Sequence, residues 1–539
     1  MSQTTPPEEN ASGVTELPAE TGADKGVDEN EENLLNRLLY RGILPRYAFP
    51  TDVATFYVFD ANKSTPYRPA YRFSPSQGLP VALSQYAPGK EVWIANKRFF
   101  SGAIFSPMSS DRFKAWQDKR LYYECKNCHF ACTRPLTSGQ RGEVADCPAC
   151  GKERAFGEAR FWFRPPGFAH PVSIPENVSP DEMPPKSYAT RAKLDAPTPD
   201  AGQGTWTHIG ERVRAHYLRK QLLVTNTGPK QDGYTYCTLC GRIEPTSPPT
   251  GNLIREHAKP FPDSKKPMCP GNRASNGVCL GTDFISDILL ITLRVSPPVR
   301  LTPGMLATEI ALRTVSEAIA KATCIALELE EGEVQADFRA ALTHEGQSGL
   351  EAEIYLYDTL PGGAGFSRRA GERLKHILEV AVTILDHCDC DSSCYNCLRS
   401  FKNKFEHDRL DRHLGRDLLQ YVVNSQPIVL DFSRERRAVA LLAEDVMRQA
   451  EQSLSLELSA SLSVPGIGIV MVPIYVRTSA DRGTVVCITH PLTPFVPGTS
   501  QLEQMKEYST IPVVTQSELT VRRSLPSATQ AVLAACGIH

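Results

Sequence analysis

No stretch of 18 or more uninterrupted apolar residues occurs in the 539-residue chain, so no membrane-spanning helix is expected. Residues 1–32 carry nine carboxylates and one lysine and lack the basic and apolar regions of an export signal. A cytoplasmic location is the expectation. There is no excess of positive charge either: 59 lysines and arginines face 61 aspartates and glutamates, a net charge of -2. That excludes a protein that coats nucleic acid through its overall field, but not a local basic groove. Gly-x4-Gly-Lys-Ser/Thr is absent, which argues against intrinsic ATP hydrolysis. His-Glu-x-x-His, Gly-x-Ser-x-Gly and a pair of His-x-Lys motifs are missing too. No intrinsic catalysis is expected. No repeat of fixed period occurs.

What the chain does have is cysteine, 16 in all. In a reducing compartment, closely spaced cysteine pairs point to metal, because two thiolates on one tight turn can share a tetrahedral ion. Cys125-x2-Cys128 and Cys147-x2-Cys150 form the first candidate site, with eighteen residues between the knuckles for a ribbon to return. Cys132 is left over and reads as a free thiol; His129 could replace a ligand. The second candidate is Cys237, Cys240, Cys269 and Cys279, with His257 able to replace one ligand. The third is Cys388, Cys390, Cys394 and Cys397, four thiols within ten residues. Zinc is expected there, with an iron–sulfur cluster as the rival. All-cysteine sites of this kind stabilise folds rather than catalyse, so two or three structural zinc ions are expected.

Hydrophobic patterning divides the rest. Residues 1–32 read as a disordered acidic tail. Residues 33–120 begin with a short helix through Leu34, Leu35, Leu38 and Leu39 and then turn β-rich, as at Thr55–Phe59 and Glu91–Ile94. Residues 121–164 are a zinc ribbon. Residues 165–203, with nine prolines, read as a linker. Residues 204–300 hold the second knuckle region and end in a buried strand, Phe284 to Val295. Residues 301–424 contain a helix over 304–322, strands at Thr323–Leu329 and Glu353–Asp358, and helices over about 366–386 and 408–424. Residues 425–539 form a small α/β unit, with strands at Ile428–Leu430 and Val470–Val476 and helices at Arg434–Gln452 and Ser527–Cys536. The expected class is α+β, in several domains.

The turn Pro361-Gly362-Gly363-Ala364-Gly365 between a strand and a helix has two readings. Its N–H groups could hold a nucleic-acid phosphate, helped by Arg368 and Arg369. The favoured reading is a tight turn that needs positive φ. Glu353 and Asp358 lie five apart on one strand and point to opposite faces, a poor arrangement for a shared nuclease metal. Basic residues cluster at Arg212, Arg214, Arg219 and Lys220, and again at Arg399, Lys402, Lys404, Arg409 and Arg412. They could touch phosphates or be solvated faces.

The segment Glu353 to Phe366, followed by the cysteine quartet at 388–397 and Leu410-Asp411-Arg412, resembles the MrfA-type zinc-binding domain. That domain closes the C-terminal region of a group of DEAD/DEAH-box helicases and occurs in DrmB of the DISARM phage-defence system. Tyr236–Arg242, Lys259-Pro260 and Leu280–Asp283 are similar to the segment preceding it in these proteins. Residues 42–52 and 86–89 resemble helicase-associated sequence further upstream. The resemblance implies zinc on Cys388, Cys390, Cys394 and Cys397, and a role in DNA processing. The ATPase lobes of those helicases are not in this sequence. The expected function is therefore a non-ATPase zinc-binding subunit of a separately encoded superfamily 2 helicase. It would contribute to DNA binding, through residues such as Arg368, Arg369, Arg399, Lys402, Lys404 and Arg412, in anti-phage defence. A nuclease using Asp358 or the last domain, a DNA repair factor, and a purely structural adaptor are the alternatives.

Overall fold

The computed structural model describes residues 52–538 apart from 61, 66–68, 177–187, 198–205, 247–251, 345–346, 451–453, 480–481 and 494–510. The acidic tail and the helix expected around Leu34 lie outside the described residues.

The described chain starts with a strand of alternating pattern, Val53–Phe59 (β1), which buries Ala54, Phe56 and Val58 on one side. The zinc-ribbon region supplies a hairpin, Arg120–Glu124 (β2) and Ala131–Arg134 (β3), and a returning strand, Arg160–Phe163 (β4), beside β2. Gly167–His170 (β5) pairs parallel with β1, Thr55 against Gly167 through Val58 against His170. This corrects the linker expected over 165–203 where the chain is described; residues 177–187 and 198–203 of that span lie outside the described residues. Prolines 165, 166 and 171 bracket β5 instead of interrupting it, so its N–H groups remain free to pair. Lys193–Leu194, from the same stretch, pairs with Leu222–Leu223.

Two long strands follow, Val213–Asn226 (β6) and, after the short Tyr234–Cys237 (β7), Ala274–Arg294 (β8). They pair antiparallel in unbroken register from Val213 opposite Leu293 to Asn226 opposite Leu280. The other edge of β8 is shared. Its start pairs with β7, Cys279–Leu280 pairs parallel with β4, and Ile288–Arg294 pairs with a strand from the following domain. One strand thus joins the ribbon, the second cysteine group and the third. Gly281 is required at the crossing with β4: an added Cβ would lie 2.0 Å from Trp162 Nε1.

The expected helix at 304–322 is longer, Leu306–Leu327 (α1). The strand expected at Thr323–Leu329 does not form. Thr323 bonds its hydroxyl to the Ile319 carbonyl one turn back at 2.8 Å, and the helix ends only where Glu328 turns left-handed. Val334–His344 (β9) and Gln347–Asp358 (β10) are a hairpin that adds to β8. Phe366–Glu372 (α2), Leu374–Asp386 (α3) and Arg412–Asn424 (α4) complete this part. The sheet is covered on both faces. Leu289, Ile291 and Leu293 of β8 and Ile354 and Leu356 of β10 pack with α1, α3 and α4. The alternate residues Ile288, Leu290, Tyr355 and Tyr357 pack with β1 and β6 residues such as Phe56 and Leu222. Burial on both faces explains why this stretch of β8 reads as an unbroken apolar run.

The last part combines helices with a four-stranded sheet. Phe432–Gln449 (α5) precedes a sheet of Ser455–Val464 (β11), Gly468–Ser479 (β12), Arg482–Thr489 (β13) and Val513–Ser517 (β14), in that order, with β14 parallel to β13. Glu518–Arg523 (α6) and Leu525–Ala535 (α7) pack beside α5. Ile428–Leu430 forms no strand; it leads to Asp431, whose carboxylate caps α5. Arg434 joins Asp417 of α4 to Glu518, and Arg522 pairs with Asp411, so buried ion pairs hold this unit against the preceding one.

Candidate metal centres

The first centre sits where the β2–β3 hairpin turns. Cys125 Sγ lies 3.7 Å from Cys150 Sγ, and Cys128 Sγ 3.7 Å from Cys147 Sγ. All four are buried and their ligand atoms lie within 4.8 Å of one another. The N–H groups of Asn127 and Cys128 donate to Cys125 Sγ at 3.3 and 3.4 Å, which favours the thiolate. Hydrogen bonds among the clustered thiols raise Cys128 and lower Cys150, and four thiolates at this range would repel. A cation removes that conflict. A tetrahedral ion with sulfur ligands at about 2.3 Å sets the sulfurs about 3.8 Å apart, so the donor set fits zinc. Cys132 stands outside the group, its thiol pushed up to about 11 by burial first and by Asp195 second. His129 is not a ligand; it faces Glu309 of α1 at 3.5 Å.

The second centre corrects the expected ligand set. Cys237 ends β7, Cys240 closes the knuckle before Gly241 (φ +84), and Cys269 and His257 face each other on a two-residue ladder. Cys237 and Cys269 are 3.7 Å apart, and Cys240 Sγ is 3.2 Å from His257 Nε2. Nδ1 of His257 lies 2.8 Å from the Arg255 carbonyl; donating its proton there leaves the Nε2 lone pair for a metal. Cys279 does not belong to the group. It sits inside β8 opposite Trp162, packed with Tyr122 and Ala131, and burial raises its thiol to about 11. Residues 270–273 lead from Cys269 into β8, whose pairing with β4 holds Cys279 in the core.

The third centre follows α3. Cys388 and Cys394 are 3.5 Å apart; Cys397 is 3.7 Å from both Cys390 and Cys394. Cys394 N–H donates to Cys397 Sγ at 3.2 Å. This spacing suits one ion; an iron–sulfur cluster, with its thiolates spread around several iron atoms, needs a wider frame. Here only Cys397 is buried. Cys388, Cys390 and Cys394 line an open groove of about 720 Å³ between α1 and α3. Lys321 of α1 ties the loop by donating to the Asn396 and Cys397 carbonyls at 3.0 and 2.7 Å.

Arg412 is a correction. It is buried and donates Nε to the Cys390 carbonyl and Nη1 to that of Leu385, so it braces the metal loop and cannot reach DNA. The other basic residues differ in setting. Arg399 and Lys402 line a second groove, of about 340 Å³, where Arg399 holds Ser393 and Lys402 holds the Glu331 carbonyl. Lys404 is exposed over the rings of Phe401 and Phe405, at 4.0 and 4.9 Å. Arg368 and Arg369 are exposed on α2 and line neither groove. Arg212 stacks on Tyr421, Arg214 on Trp206, and Arg219 bonds the Gly362 carbonyl.

The glycine turn leaves no place for a phosphate. Asp358, fully buried, accepts from the N–H groups of Ala364, Phe366 and Ser367 and from the Ser367 hydroxyl; Asp287 accepts from Gly365. The Gly362 and Gly363 N–H groups bond the Ile285 and Leu360 carbonyls. Carboxylates of the chain already satisfy this helix start. Glu353 is buried against Arg339. Asp358 and Glu353 are therefore structural.

The matched family is the MrfA Zn-binding domain, over residues 315–398, from the middle of α1 to just past Cys397. This chain carries a MrfA Zn-binding domain. Among curated proteins, the chain is 31% identical over 419 residues to Druantia protein DruE of Escherichia coli (strain UMEA 4076-1), covering 74% of this chain and 22% of that protein. It thus spans about a fifth of that relative. Among solved structures, the crystal structure of DUF1998 helicase MrfA bound to DNA aligns over 72% of this chain and 38% of its own, with 11% identity and a TM-score of 0.32. The same helicase bound to DNA and AMPPNP aligns over 68% and 31%, with 10% identity and a TM-score of 0.25. Among the described residues no helix is long and apolar enough to cross a membrane.

Proposed function

We propose that this chain is a zinc-stapled DNA-handling region that serves a superfamily 2 helicase in antiviral defence. The observation that carries the reading is the alignment with DruE over three quarters of the chain, with the MrfA Zn-binding domain inside it. The relative is a Druantia protein, and the defence reading follows it instead of the DISARM resemblance. Three structural zinc ions sit on Cys125, Cys128, Cys147 and Cys150; on Cys237, Cys240, His257 and Cys269; and on Cys388, Cys390, Cys394 and Cys397. They hold the ribbon, the knuckle and the α3–α4 loop as rigid platforms. ATP hydrolysis belongs to the helicase motor. Arg368, Arg369, Arg399, Lys402 and Lys404 supply backbone contacts, which carry affinity without sequence preference.

Purification of the tagged chain from its native host, followed by mass spectrometry, tests the helicase link. A stoichiometric superfamily 2 helicase is expected. DNA binding by the purified material is expected to weaken steeply between 50 and 200 mM salt. A chain that emerges without a helicase and binds DNA with no salt dependence refutes the proposal.

A further inference from the structure

The surface between α3 and α4 carries an arrangement that backbone contacts do not require. Phe401 is 76% exposed, Tyr395 65% and Phe405 48%. Single exposed rings are ordinary, and Phe432 and Trp93 are as open; here three rings lie in one short stretch, and a grouped patch marks a contact surface. Their supporting turn is locked from beneath. The Asn403 side-chain amide donates to the Leu398 carbonyl at 2.9 Å and to Glu317 at 2.7 Å. His407 sits against the Ser400 carbonyl and Asn403 Oδ1. Glu406 is gripped by Arg191 at 2.8 Å and Arg313 at 3.2 Å. The inward residues fix the turn, and the outward residues are Phe401, Lys402, Lys404 and Phe405. Preorganised rings lose little entropy when something stacks on them.

Positive charge is interleaved with the rings. Lys404 lies over both phenylalanines, and Phe405 stacks on Tyr188 with ring centroids 3.7 Å apart. Lys90, from a distant part of the chain, lies over Tyr188 at 4.0 Å. Burial and then the charge of Lys404 lower Lys90 to about 8. Two lysines that converge on one aromatic stack favour an anion between them. Basic groups alternating with exposed rings match a strand whose phosphates and unstacked bases are both within reach. A duplex hides its bases and offers only the phosphates.

Resting on the proposed DNA role, we infer that Phe401, Phe405 and Tyr395, with Lys404 and Lys90, form a base-stacking site for single-stranded DNA. Phe401, which has no ring partner among the described contacts, supplies the open face.

The test is fluorescence anisotropy on the full chain with a labelled oligothymidylate. Parallel arms use a duplex, an oligouridylate and an abasic strand of equal length. Phe401→Ala is expected to weaken oligothymidylate binding about tenfold, as loss of one stacked base does. Duplex binding should change less than twofold. The abasic strand should bind weakly to the parent chain and be indifferent to the substitution. Zinc content and melting temperature show whether the variant is folded, and Phe401→Trp, which keeps a stacking face, should retain affinity. The inference is overturned if the abasic strand binds as tightly as oligothymidylate, or if folded Phe401→Ala binds it unchanged. It is also overturned if oligouridylate alone shows the loss, or if the variant loses a co-purifying protein and no DNA affinity. Salt-dependent duplex binding that survives any of these results leaves the broader proposal standing.

Discussion

The second metal centre separates two ligand sets by one substitution each. With Cys237, Cys240, His257 and Cys269 as ligands, His257→Ala opens the site, and Cys279→Ala leaves it whole. Three groups of ligands could each hold an ion; on the proposed count of three, His257→Ala is expected to hold two and Cys279→Ala three. The stability effects should differ as well. Structural zinc contributes on the order of 10–16 kcal/mol in small isolated peptides. Losing it should release the ladder that joins His257–Ala258 to Met268–Cys269, since that two-strand sheet has no other partner strand among the described residues. Cys279→Ala removes one sulfur from a packed environment of Tyr122, Ala131 and Trp162. The cost is that of one buried methylene and its cavity, about 1 kcal/mol. Metal content by inductively coupled plasma mass spectrometry reads the first difference. Limited proteolysis between 250 and 270 reads the second. A Cys279→Ala protein with two ions and a His257→Ala protein with three would refute the assignment.

The third centre should lose its metal first. Three of its thiols line an open groove while those of the first centre are all buried, so a chromogenic chelator is expected to release one ion in a fast phase. Alkylation of Cys388, Cys390 and Cys394 should appear in that phase; simultaneous release of all three ions would contradict this. Asp358→Asn keeps the shape but weakens four hydrogen bonds at the start of α2, and should cost about 1–3 kcal/mol in a denaturant melt. Any change in DNA affinity after correction for folding would return the glycine turn to the binding surface. Acid should loosen the last domain. Burial raises the Asp417 carboxyl, but bonding to His490 and the charges of His490, Arg416 and Arg434 outweigh it and hold the group at about 2. A depressed carboxylate contributes stability above its unfolded value near 4 and loses it as pH falls towards 2. The expected loss is about 2 kcal/mol over that window, and Asp417→Asn should abolish that part of the pH dependence in thermal melts.

Much of this was legible because thiol spacing is a local code. Cys125, Cys128, Cys147 and Cys150, and the quartet at 388–397, come together through short turns, and nothing distant decides their geometry. Cys279 and His257 were not separable that way. Both lie within reach of Cys269 along the chain, and only the pairing of β8 with β4 commits Cys279 to the core. The same non-local cause hid β5: four residues between prolines look like linker until β1 lies beside them. Thr323–Leu329 read as a strand because β-branched residues favour one, yet Thr323 can bond back within a helix packed on three sides. Arg412 looked like its neighbours in the basic cluster. Its burial depends on where α4 meets the metal loop, which no charge count contains. Lys90 and Tyr188 carried no signal at all, being far from residues 401–405 in sequence.

The position of the third centre gives its zinc a consequence beyond local folding. Lys321 anchors the metal loop through the carbonyls of Asn396 and Cys397, and Cys397 is directly followed by the turn that bears Phe401, Lys404 and Phe405. That turn is held on its other side by Arg191 and Arg313, which meet Glu317, Glu406 and the buried Asp337 in a half-buried cluster. The exposed rings therefore stand on two supports of different kinds. One is a metal that a chelator can withdraw. The other is a set of half-buried ion pairs, in which removing one partner leaves a charge less well compensated. If the surface binds by preorganised stacking, both withdrawals should weaken single-strand binding before they unfold the sheet. The core faces of β8 and β10 pack mainly on α1, α3 and α4, with Cys397 and Leu398 at the margin of the same cluster. A loss of single-strand affinity that tracks release of the third ion, with the far-ultraviolet spectrum still unchanged, would separate the platform from the fold beneath it.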